Sequence, residues 1–571
     1  MSSSSNSFES EYSCTSTTGM PSIERVWGKG NPDYDGTLSI IVVGASGNLA
    51  MLKTFPALFS LFKHSLLPRY TTIVGYARTK MDDESFREKL RGALKRNCDC
   101  VERFLHICHY QSGQYDSVED FARLNDRLND MEVTQCLRYV ENGKERFVCS
   151  KNRLFYYAIP PSQFNPVSKC IHDTCMENEG YDRIVVEKPF GRDYDSSREL
   201  NTFLQSLFAE ESIYRIDHYL GKEMVQNLMV TRFSNMIFSA IWNRNYIDNV
   251  QIVFKETLGV DGRGGYFDHY GIIRDVMQNH LLQIVSLICM EQPLSLHSTD
   301  IRDEKVRVLK AISPLRLDRT VVGQYVANAT QPGYLDDPTV PSDSLTATFA
   351  ATVLTINTPR WYGVPFYLKC GKGLDESKAE IRIQFKDMSC PLFEHSNRNE
   401  FVLRVQPDTA IYMKMNVKSP GIETMPVTGE LDMTYKKKYD FTLPEAYERL
   451  ILDIIRGDHS HFVRGDELEI SWKIFTPLLH ELEEKKIKPI PYVRGSRGPE
   501  EADLLRDANG FVRSKDYEWS QPELVDHVNV WPLCLNKHAA HEGGCTSSNN
   551  TAWFGNFGKS GKRKLAPNPS L

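Results

Sequence analysis

The fold is decided by the stretch Leu38-Ser-Ile-Ile-Val-Val43, followed at once by Gly44-Ala-Ser-Gly-Asn-Leu-Ala50. The first six residues are mostly apolar and rich in β-branched side chains, which is typical of a buried parallel strand. After the glycine turn, apolar side chains recur at helical spacing, at Leu52, Phe55, Leu58, Phe59 and Phe62. A strand, a glycine turn and a helix in this order present backbone N–H groups to a pyrophosphate. Because the spacing is not G-x-G-x-x-G, a tight turn without a nucleotide stays open as the alternative.

A second predicted strand, residues 71–77, indicates which dinucleotide this turn would bind. In NAD-binding folds an Asp or Glu near the end of this strand usually holds the ribose 2′-hydroxyl. Here the strand is followed by Arg78, Thr79 and Lys80. A guanidinium pairs well with a phosphate, so Arg78 favours NADP, which carries a 2′-phosphate, over NAD.

Two further buried strands are predicted at residues 154–159 and 183–187, and helices at 84–96 and 118–131. Strands that alternate with helices predict an α/β, Rossmann-type N-terminal domain with a parallel sheet. Ligands of such sheets bind at the carboxyl ends of the strands. Lys188 directly follows a strand, which makes it a candidate ligand-binding residue, with an ordinary surface lysine as the alternative.

After residue 222 the pattern changes to a helical segment at 224–233 and then to closely spaced strands. These strands are predicted at residues 250–256, 345–356, 365–369, 379–385, 401–406 and 410–417. Most of them alternate and leave no room for helical crossovers, so we predict an α+β C-terminal domain with a large, mainly antiparallel sheet. The predicted organisation is a disordered tail at 1–35, the nucleotide domain at 36–216, the second domain at 217–535 and a flexible tail at 536–571.

Composition excludes several classes of protein. The 571 residues include 68 Lys and Arg against 74 Asp and Glu, a net charge of −6, whereas a general nucleic-acid binder is basic. No apolar run approaches the ~18 residues of a membrane span, and the N-terminus lacks the pattern of a secretory signal. The 13 cysteines, an odd number, suit reduced thiols better than a disulfide framework. Cys98, Cys100, Cys108 and His109 lack zinc-finger spacing, and we expect no metal.

The run Tyr214-Arg-Ile-Asp-His-Tyr-Leu-Gly-Lys-Glu223 concentrates an acid, an imidazole, a phenol and an ammonium group. His218 and Lys222 are four residues apart, so on a helix they would share a face and could bind an anion together. Asp217 would point elsewhere and would be free to orient a base. A solvated turn with unrelated charges is the alternative.

Residues Arg215-Ile-Asp-His-Tyr-Leu-Gly-Lys222 resemble the signature of the glucose-6-phosphate dehydrogenase family. The glycine turn, with Asn48 in place of the family's aspartate, and Glu187-Lys-Pro-Phe-Gly191 also match, and the resemblance runs from about residue 30 to residue 519. It implies NADP-dependent oxidation of glucose 6-phosphate at C1 to 6-phosphogluconolactone, the first step of the oxidative pentose phosphate pathway. It further implies a cytoplasmic homodimer or homotetramer whose second domain binds substrate and builds the dimer interface.

The resemblance also assigns roles to single residues. His280 matches the catalytic base, and Asp217 is its orienting carboxylate, because Asp275, five residues before His280, would not share a helical face with it. Residues that match substrate-binding positions are Lys188, His218, Tyr219, Lys222, Glu256, Asp275, Lys372 and Gln406. Among them His218 and Lys222 would supply the cations for the phosphate. Cofactor positions match at Gly44, Ala45, Ser46, Gly47, Asn48, Leu49, Lys53, Arg78 and Lys188. Pro189 is a candidate for a cis peptide bond.

Some members of the family bind a second, structural NADP. The matching positions are Lys378, Arg382, Arg404, Tyr412, Lys414, Arg497 and Trp519. Arg513 stands where those members carry a tyrosine, and Ser377 stands where the family carries a basic residue. Ordinary charges on a sheet face are the alternative to a second nucleotide.

Two other functions stay open. A catalytically silent, NADP-binding regulatory subunit would keep the glycine turn without an acid–base pair. A dehydrogenase of an unphosphorylated aldose would not need the pair His218 and Lys222. The last three residues, Pro569-Ser-Leu571, resemble a peroxisomal S-K-L address but lack its basic residue.

Overall fold

The computed structural model describes residues 37–94, 99–141, 151–176, 180–388, 392–393, 396–419, 421–422, 424–438 and 443–512. Both predicted tails and the three C-terminal residues lie outside the described residues, as do Cys98, Arg513 and Trp519. The described residues belong to one compact unit. The predicted domain limits at 36–216 and 217–535 stay predictions.

The first sheet has six strands, all parallel. They are β1 Thr37–Val43, β2 Tyr70–Ala77, β3 Cys108–Ser112, β4 Lys151–Tyr157, β5 Asp182–Val186 and β6 Ile213–Arg215. The spatial order β3-β2-β1-β4-β5-β6 is that of a dinucleotide-binding, doubly wound sheet. All seven residues of β1 are buried, as its apolar sequence predicts. The α/β, Rossmann-type N-terminal fold is confirmed.

Six helices accompany this sheet: α1 Phe55–Lys63, α2 Asp83–Leu94, α3 Asp99–His106, α4 Val118–Glu141, α5 Phe164–Thr174 and α6 Tyr194–Leu207. A π-helical turn, Ala50–Thr54, leads into α1, and in it the Phe55 N–H bonds to the Ala50 carbonyl, five residues back. This turn shifts the phase of the helix, so Leu52 is 58% exposed and its predicted place on the buried face is wrong. The other four predicted positions, from Phe55 to Phe62, are buried. Helix α4 continues to Glu141, ten residues beyond the predicted end at Met131.

The second sheet has nine strands in the order β14-β13-β12-β11-β7-β10-β9-β8-β15. They are β7 Ile247–Lys255, β8 Thr320–Val326, β9 Phe349–Thr355, β10 Pro365–Gly371, β11 Lys378–Phe385, β12 Glu400–Gln406, β13 Ala410–Lys418, β14 Pro426–Thr434 and β15 Ile490–Val493. Six of the eight neighbouring pairs are antiparallel, so the mainly antiparallel sheet is confirmed. The pairs β7–β10 and β8–β15 are parallel. The expectation that crossovers are absent is therefore wrong, because a long connection that contains both helices and other strands separates the members of each parallel pair.

The helices of the second half are α7 Glu223–Ser234, α8 Met236–Ile241, α9 Gly264–Asp268, α10 Leu282–Cys289, α11 Ser298–Lys310, α12 Tyr435–Lys438, α13 Ala446–Arg456, α14 Gly465–Glu484 and α15 Glu500–Asp507. Helix α13 returns to the first sheet, where Leu450, Ile451 and Ile454 share a buried core with Leu38 and Ile40 of β1. The Val463 N–H also bonds to the Arg215 carbonyl at the end of β6. No helix among the described residues is long and apolar enough to cross a membrane.

Candidate active site

Asp217 and His280 form a buried pair where the two sheets approach each other. Asp217 follows β6 and precedes a single 3₁₀ turn, His218–Gly221. Its Oδ1 atom accepts a hydrogen bond from the Tyr219 N–H at 2.9 Å and lies 2.5 Å from His280 Nδ1. Both side chains are about 2–3% exposed. The structure thus joins two residues that are 63 positions apart in sequence.

The environment sets the charge of each member of this pair. Burial lowers the pKa of His280, although Asp217 acts in the opposite direction, so the imidazole is neutral near pH 7. Burial acts to raise the pKa of Asp217, but His280, the Tyr219 N–H and Lys188 outweigh it and hold the pKa below its usual value. A neutral imidazole held by an ionised carboxylate is the arrangement of an oriented general base.

Asp275 lies closer to His280 than the sequence predicts. Residues Ile273–Leu281 form a π-helical segment, and the Leu282 N–H bonds to the carbonyl of Met277, five residues back. A helix of i→i+5 bonds turns less per residue than an α-helix, so residues five apart lie nearer to one face. The expectation that Asp275 and His280 point apart is therefore wrong, and each influences the pKa of the other.

Asp275 belongs to a network of alternating charges. Lys188 Nζ donates to the Asp275 carbonyl at 2.6 Å and to Oδ1 at 3.0 Å. Lys372 Nζ lies 3.9 Å from Asp275 Oδ2 and donates to Glu256 Oε2 at 2.5 Å. Burial acts to raise the pKa of Asp275, but the two lysines overcome it and lower the pKa to about 2. Four predicted substrate-binding residues are thereby brought together beside the pair.

The two sheets present these residues at strand ends. Lys188 follows β5, and its peptide bond to Pro189 is cis, as expected. Glu256 follows β7 and Lys372 follows β10, which are parallel neighbours. Because parallel strands end at the same edge of a sheet, one pair delivers both an acceptor and a cation to that edge.

His218 and Lys222 do not share a helix. The 3₁₀ turn ends at Gly221, and Lys222 has an extended backbone before α7, with φ −74° and ψ 137°. The helical premise for their pairing is wrong. Burial, with His280, Lys188, Lys222 and Lys53 nearby, lowers the pKa of His218 well below its usual value. Without a bound anion His218 is therefore neutral near pH 7 as a hydrogen-bond donor, and its role as a cation for the phosphate stays a prediction.

Tyr219 contacts His280 of the pair and lies near Lys222. Its ring stacks on His280 with centroids 4.5 Å apart, and Lys222 Nζ lies 5.9 Å from the ring centroid. The side chain is buried, and its hydroxyl has no hydrogen-bond partner among the described residues. A buried hydroxyl without a partner is costly and is typical of an atom that meets a ligand.

The glycine turn has the shape of a nucleotide cradle. Gly44 has φ +90°, and a Cβ there would lie 2.3 Å from the Ala158 carbonyl oxygen, so both backbone conformation and space require glycine. Ser46 Oγ lies 3.1 Å from Thr79 Oγ1, which ties the turn to the end of β2. Ala45 is buried, whereas Asn48 is exposed. Leu49, which precedes the π-helical turn, makes no side-chain capping hydrogen bond.

Arg78 and Lys53 flank this cradle. Arg78 is exposed, and its guanidinium carbon lies 5.2 Å from the centroid of the Tyr115 ring. Lys53 Nζ lies 3.5 Å from Glu445 Oε2 in an exposed ion pair. An exposed guanidinium on an aromatic face, beside a glycine turn, fits the 2′-phosphate of NADP. The residues present thus fit the predicted cofactor, and their individual contacts stay predictions.

The remaining predicted residues lie on the second sheet. Gln406 ends β12 opposite Ala379, and its substrate contact stays a prediction. Lys378, Arg382, Arg404 and Tyr412 gather around Glu380, with atoms 2.8–3.7 Å from its carboxylate. Lys414 lies 3.2 Å from Glu400, to which Arg382 also donates. Arg497 pairs instead with Asp503 at 3.4 Å. Ser377 Oγ accepts from the Thr257 N–H.

Sequence reasoning missed the environment of Glu187. Its Oε1 atom accepts a hydrogen bond from the Tyr156 hydroxyl at 2.6 Å, and Tyr447 of α13 also bonds to it. Burial raises the pKa of Glu187 to about 7, although Tyr156, Lys188 and Tyr447 act to lower it. The Tyr447 ring lies parallel to His218 at 6.0 Å. A carboxyl at a buried strand end was visible in sequence, but its two tyrosine partners were not.

Asp217, His218 and His280 have ligand atoms within 4.8 Å of one another, the only such group of three among the described residues. Lys188 and Lys222 shift the pKa of these groups as nearby positive charges, and such charges disfavour a divalent cation. Cys100 and Cys108 are buried, Cys108 Sγ donates to the Phe104 carbonyl at 3.3 Å, and His109 Nδ1 lies 3.0 Å from Asp83 Oδ2.

A doubly wound nucleotide-binding sheet, with a carboxylate-held imidazole at the carboxyl ends of its strands, defines a nicotinamide-dependent dehydrogenase. Two family models cover most of the chain: "Glucose-6-phosphate dehydrogenase, NAD binding domain" matches residues 41–227 and "Glucose-6-phosphate dehydrogenase, C-terminal domain" matches residues 229–520. The chain belongs to the glucose-6-phosphate dehydrogenase family.

Individual relatives agree with this assignment. The chain is 52% identical over 502 residues to glucose-6-phosphate 1-dehydrogenase 5, cytoplasmic, of Arabidopsis thaliana, which covers 86% of this chain and 94% of the relative. It is 50% identical over 493 residues to glucose-6-phosphate 1-dehydrogenase of Dictyostelium discoideum, covering 86% and 97%. A solved glucose-6-phosphate dehydrogenase in complex with glucose 6-phosphate superposes with a TM-score of 0.80 at 45% identity, covering 84% of this chain and 99% of that one.

Proposed function

We propose that this chain oxidises glucose 6-phosphate at C1 to 6-phosphogluconolactone with NADP as the cofactor, the first step of the oxidative pentose phosphate pathway. The observation that carries this proposal is the buried Asp217–His280 pair beside Lys188 and Lys222. Family membership supports the same substrate and cofactor.

His280 acts as the general base. Its Nδ1 atom faces Asp217, so Nε2 is the nitrogen left to take the proton of the C1 hydroxyl. The imidazolium that forms is stabilised by the Asp217 carboxylate, which stays ionised because its pKa lies below the usual range. The proton therefore leaves the sugar within a buried, electrostatically prepared site.

The substrate is bound from two sides. Lys222 supplies the charge for the phosphate, and His218 and Tyr219 supply an N–H and a hydroxyl. The alternating network of Lys188, Glu256, Asp275 and Lys372, with Gln406, provides acceptors and donors for the sugar hydroxyls. A phosphate dianion raises the pKa of His218, so substrate binding strengthens this contact.

The glycine turn, from Gly44 to Leu49, holds the pyrophosphate of NADP, with Lys53 and Arg78 nearby and Lys188 between cofactor and substrate. NADP, when bound, supplies the carbon that accepts the hydride. The chain's own task is to hold C1 of the sugar at the right distance and to keep water away.

A second NADP is proposed on the sheet face around Glu380 and Glu400. Four cations, Lys378, Arg382, Arg404 and Lys414, gather around these two carboxylates and would supply the positive charge for a nucleotide's phosphates. Tyr412, Arg497 and Trp519 complete the set, Trp519 from outside the described residues. Equilibrium dialysis of the purified protein should give two NADP per chain, whereas one per chain contradicts a second site.

We also propose a homodimer or homotetramer that works in the cytoplasm. Val417 of β13 and Val427 and Leu431 of β14 are 44–66% exposed at the edge of the second sheet, where a second copy could cover them. The cytoplasmic isoforms among the relatives support the location. Sedimentation equilibrium measures the subunit number, and a monomer at micromolar concentration contradicts this part of the proposal.

One assay separates the proposed function from its alternatives. Absorbance of the reduced cofactor, NADPH or NADH, is followed with glucose 6-phosphate, glucose or 6-phosphogluconate, each with NADP or NAD. We expect turnover with glucose 6-phosphate and NADP far above every other combination. A silent regulatory subunit would give no turnover, and an aldose dehydrogenase would prefer glucose. His280→Asn is the matched control for contaminating activity.

A further inference from the structure

A small cavity adjoins the Asp217 carboxylate, and Lys188 of the sugar-binding network forms part of its wall. Its walls include Asp217, Gln278, Asn279, Gln283, Ser471 and Trp472, and its volume is about 20 Å³. A single water molecule requires roughly 10–15 Å³ and two or more polar partners. The cavity is therefore large enough for one water.

The donors in the wall are already engaged. Lys188 Nζ donates to the Asp275 carbonyl and to Asp275 Oδ1, and Arg274 Nε donates to the Arg192 carbonyl at 2.7 Å. Gln278 Nε2 donates to Ser471 Oγ at 2.8 Å, and Ser471 Oγ donates to the Leu468 carbonyl at 2.8 Å. Asn279 Nδ2 donates to the Arg274 carbonyl at 3.1 Å. Trp472 Nε1 donates to the Phe190 carbonyl at 3.0 Å. These groups are held in place by the protein itself.

Two hydrogen-bond acceptors in the same wall, unlike the donors, have no partner among the described residues. Asp217 Oδ1 receives both the Tyr219 N–H and His280, which leaves Oδ2 without a hydrogen-bond partner among the described residues. Gln283 Oε1 likewise has none within the described part of the chain. The two side chains are only 2% and 3% exposed. A buried acceptor without a donor costs free energy, and the loss is larger for a carboxylate.

We propose that one water molecule binds in this cavity and donates one hydrogen to Asp217 Oδ2 and the other to Gln283 Oε1, which makes Gln283 a positioning residue for the catalytic carboxylate. The inference rests on the proposed function. Water suits both acceptors because it carries two O–H donors on one small atom.

Gln283 is itself anchored on the far side. Its Nε2 atom donates to Glu467 Oε2 at 3.5 Å, and Lys305 Nζ lies 2.7 Å from the same oxygen. The side chains of Lys305 and Glu467 are 1% and 0% exposed. A buried ion pair thus fixes the amide, the amide fixes the water, and the water fixes the plane of the carboxylate. Oδ1 then stays directed at His280 Nδ1.

Crystallography tests the site without any assay. A high-resolution crystal structure of the full chain should show a water within hydrogen-bond distance of both acceptors. Absence of a water there overturns the proposal. A Gln283 amide rotated so that its nitrogen donates directly to Asp217 also overturns it.

Kinetics of Gln283→Leu test the positioning role, with Ser471→Ala as the control that changes the same wall but keeps both acceptors. For Gln283→Leu we expect kcat to fall about tenfold, because a hydrogen bond to a charged group is lost, with KM for glucose 6-phosphate unchanged. The acid limb of the kcat/KM profile should move to higher pH, since a donor that opposed protonation of the pair is gone. Equal kcat and equal acid limbs in the two variants overturn the role. An inactive wild type would instead contradict the proposed function.

Discussion

The two halves of the active site are built in opposite ways. The pair Asp217 and His280 is 2–3% exposed, and its pKa values are set by burial and by neighbouring charges. Around the glycine turn, Asn48 and Arg78 are exposed, and Lys53 and Glu445 form an exposed ion pair. Acid–base chemistry depends on protonation state, which burial controls, whereas a large anionic cofactor needs an open surface with accessible positive charge.

This contrast gives a general expectation. Changes at the buried pair should alter the rate of the chemical step by large factors, because nothing else can replace a fixed base. Changes around the glycine turn should alter cofactor binding by small factors, because exposed charges are screened by salt and each contributes only part of the binding free energy.

The largest effect is expected for His280→Asn. Loss of the general base should reduce kcat about 10³-fold or more, while the dissociation constant for glucose 6-phosphate changes little. Steady-state kinetics and isothermal titration calorimetry measure the two quantities. His172→Asn, an exposed histidine on α5, is the control. Turnover near that of the control would remove His280 from its role.

The next effect concerns the substrate phosphate. Lys222→Ala should weaken binding of glucose 6-phosphate about 10- to 100-fold, the range of a charge-assisted hydrogen bond, and should leave glucose binding unchanged. Competition experiments with both sugars measure it, with the exposed Lys485→Ala as control. An equal loss for both sugars contradicts a phosphate contact by Lys222.

A smaller effect is expected at the open end of the site. Arg78→Ala should reduce the NADP over NAD preference in kcat/KM about tenfold, because a single exposed charge pair with the 2′-phosphate is lost. KM for glucose 6-phosphate should stay constant. Arg91→Ala serves as the control, because Arg91 lies on α2 and forms ion pairs with Glu88 and Glu102. An unchanged cofactor ratio argues against this contact.

Much of this contrast could be predicted from the sequence, and the failures have physical causes. Strands β1, β2, β4 and β5 were found because buried parallel strands are apolar throughout. Strand β3, Cys-His-Tyr-Gln-Ser, was not found because it is short, polar and at the edge of the sheet. The pairing of Asp217 with His280 was predicted correctly, although the argument that excluded Asp275 by its position on an α-helix was wrong. The match to the family's motifs does not depend on the local helix geometry.

Other features leave no trace in one sequence. The π-helical segment Ile273–Leu281 differs from an α-helix only in its hydrogen-bond register, and its residues do not encode that register visibly. Glu187 meets Tyr447, and Gln283 meets Glu467, through contacts between elements far apart in the chain. Whether His218 is charged depends on burial, which a sequence pattern does not show.

The smallest effect is expected on thermal stability, where a buried carboxyl at the site should behave differently from an exposed one elsewhere. The pKa of Glu187 rises to about 7 in the folded chain. The protonated carboxyl therefore contributes to the free energy of unfolding fully below its unfolded pKa of 4.5, and this contribution is lost as pH rises towards 7. Glu187→Gln should therefore stabilise the protein relative to wild type at pH 7.5 but not at pH 4.5, by a few degrees in Tm. Scanning fluorimetry across pH measures this, with exposed Glu84→Gln as control. A pH-independent difference contradicts the raised pKa.

Helix α13 has a consequence for how the chain must be made. It covers part of the first sheet, yet it is synthesised only after eight of the nine strands of the second sheet. Until α13 is synthesised, the nucleotide-binding half therefore exposes an apolar face to solvent. Such a face can bind chaperones or cause aggregation. A shortened chain that ends before Ala446 should bind a hydrophobic dye, and a separate peptide of residues 443–463 should suppress that binding.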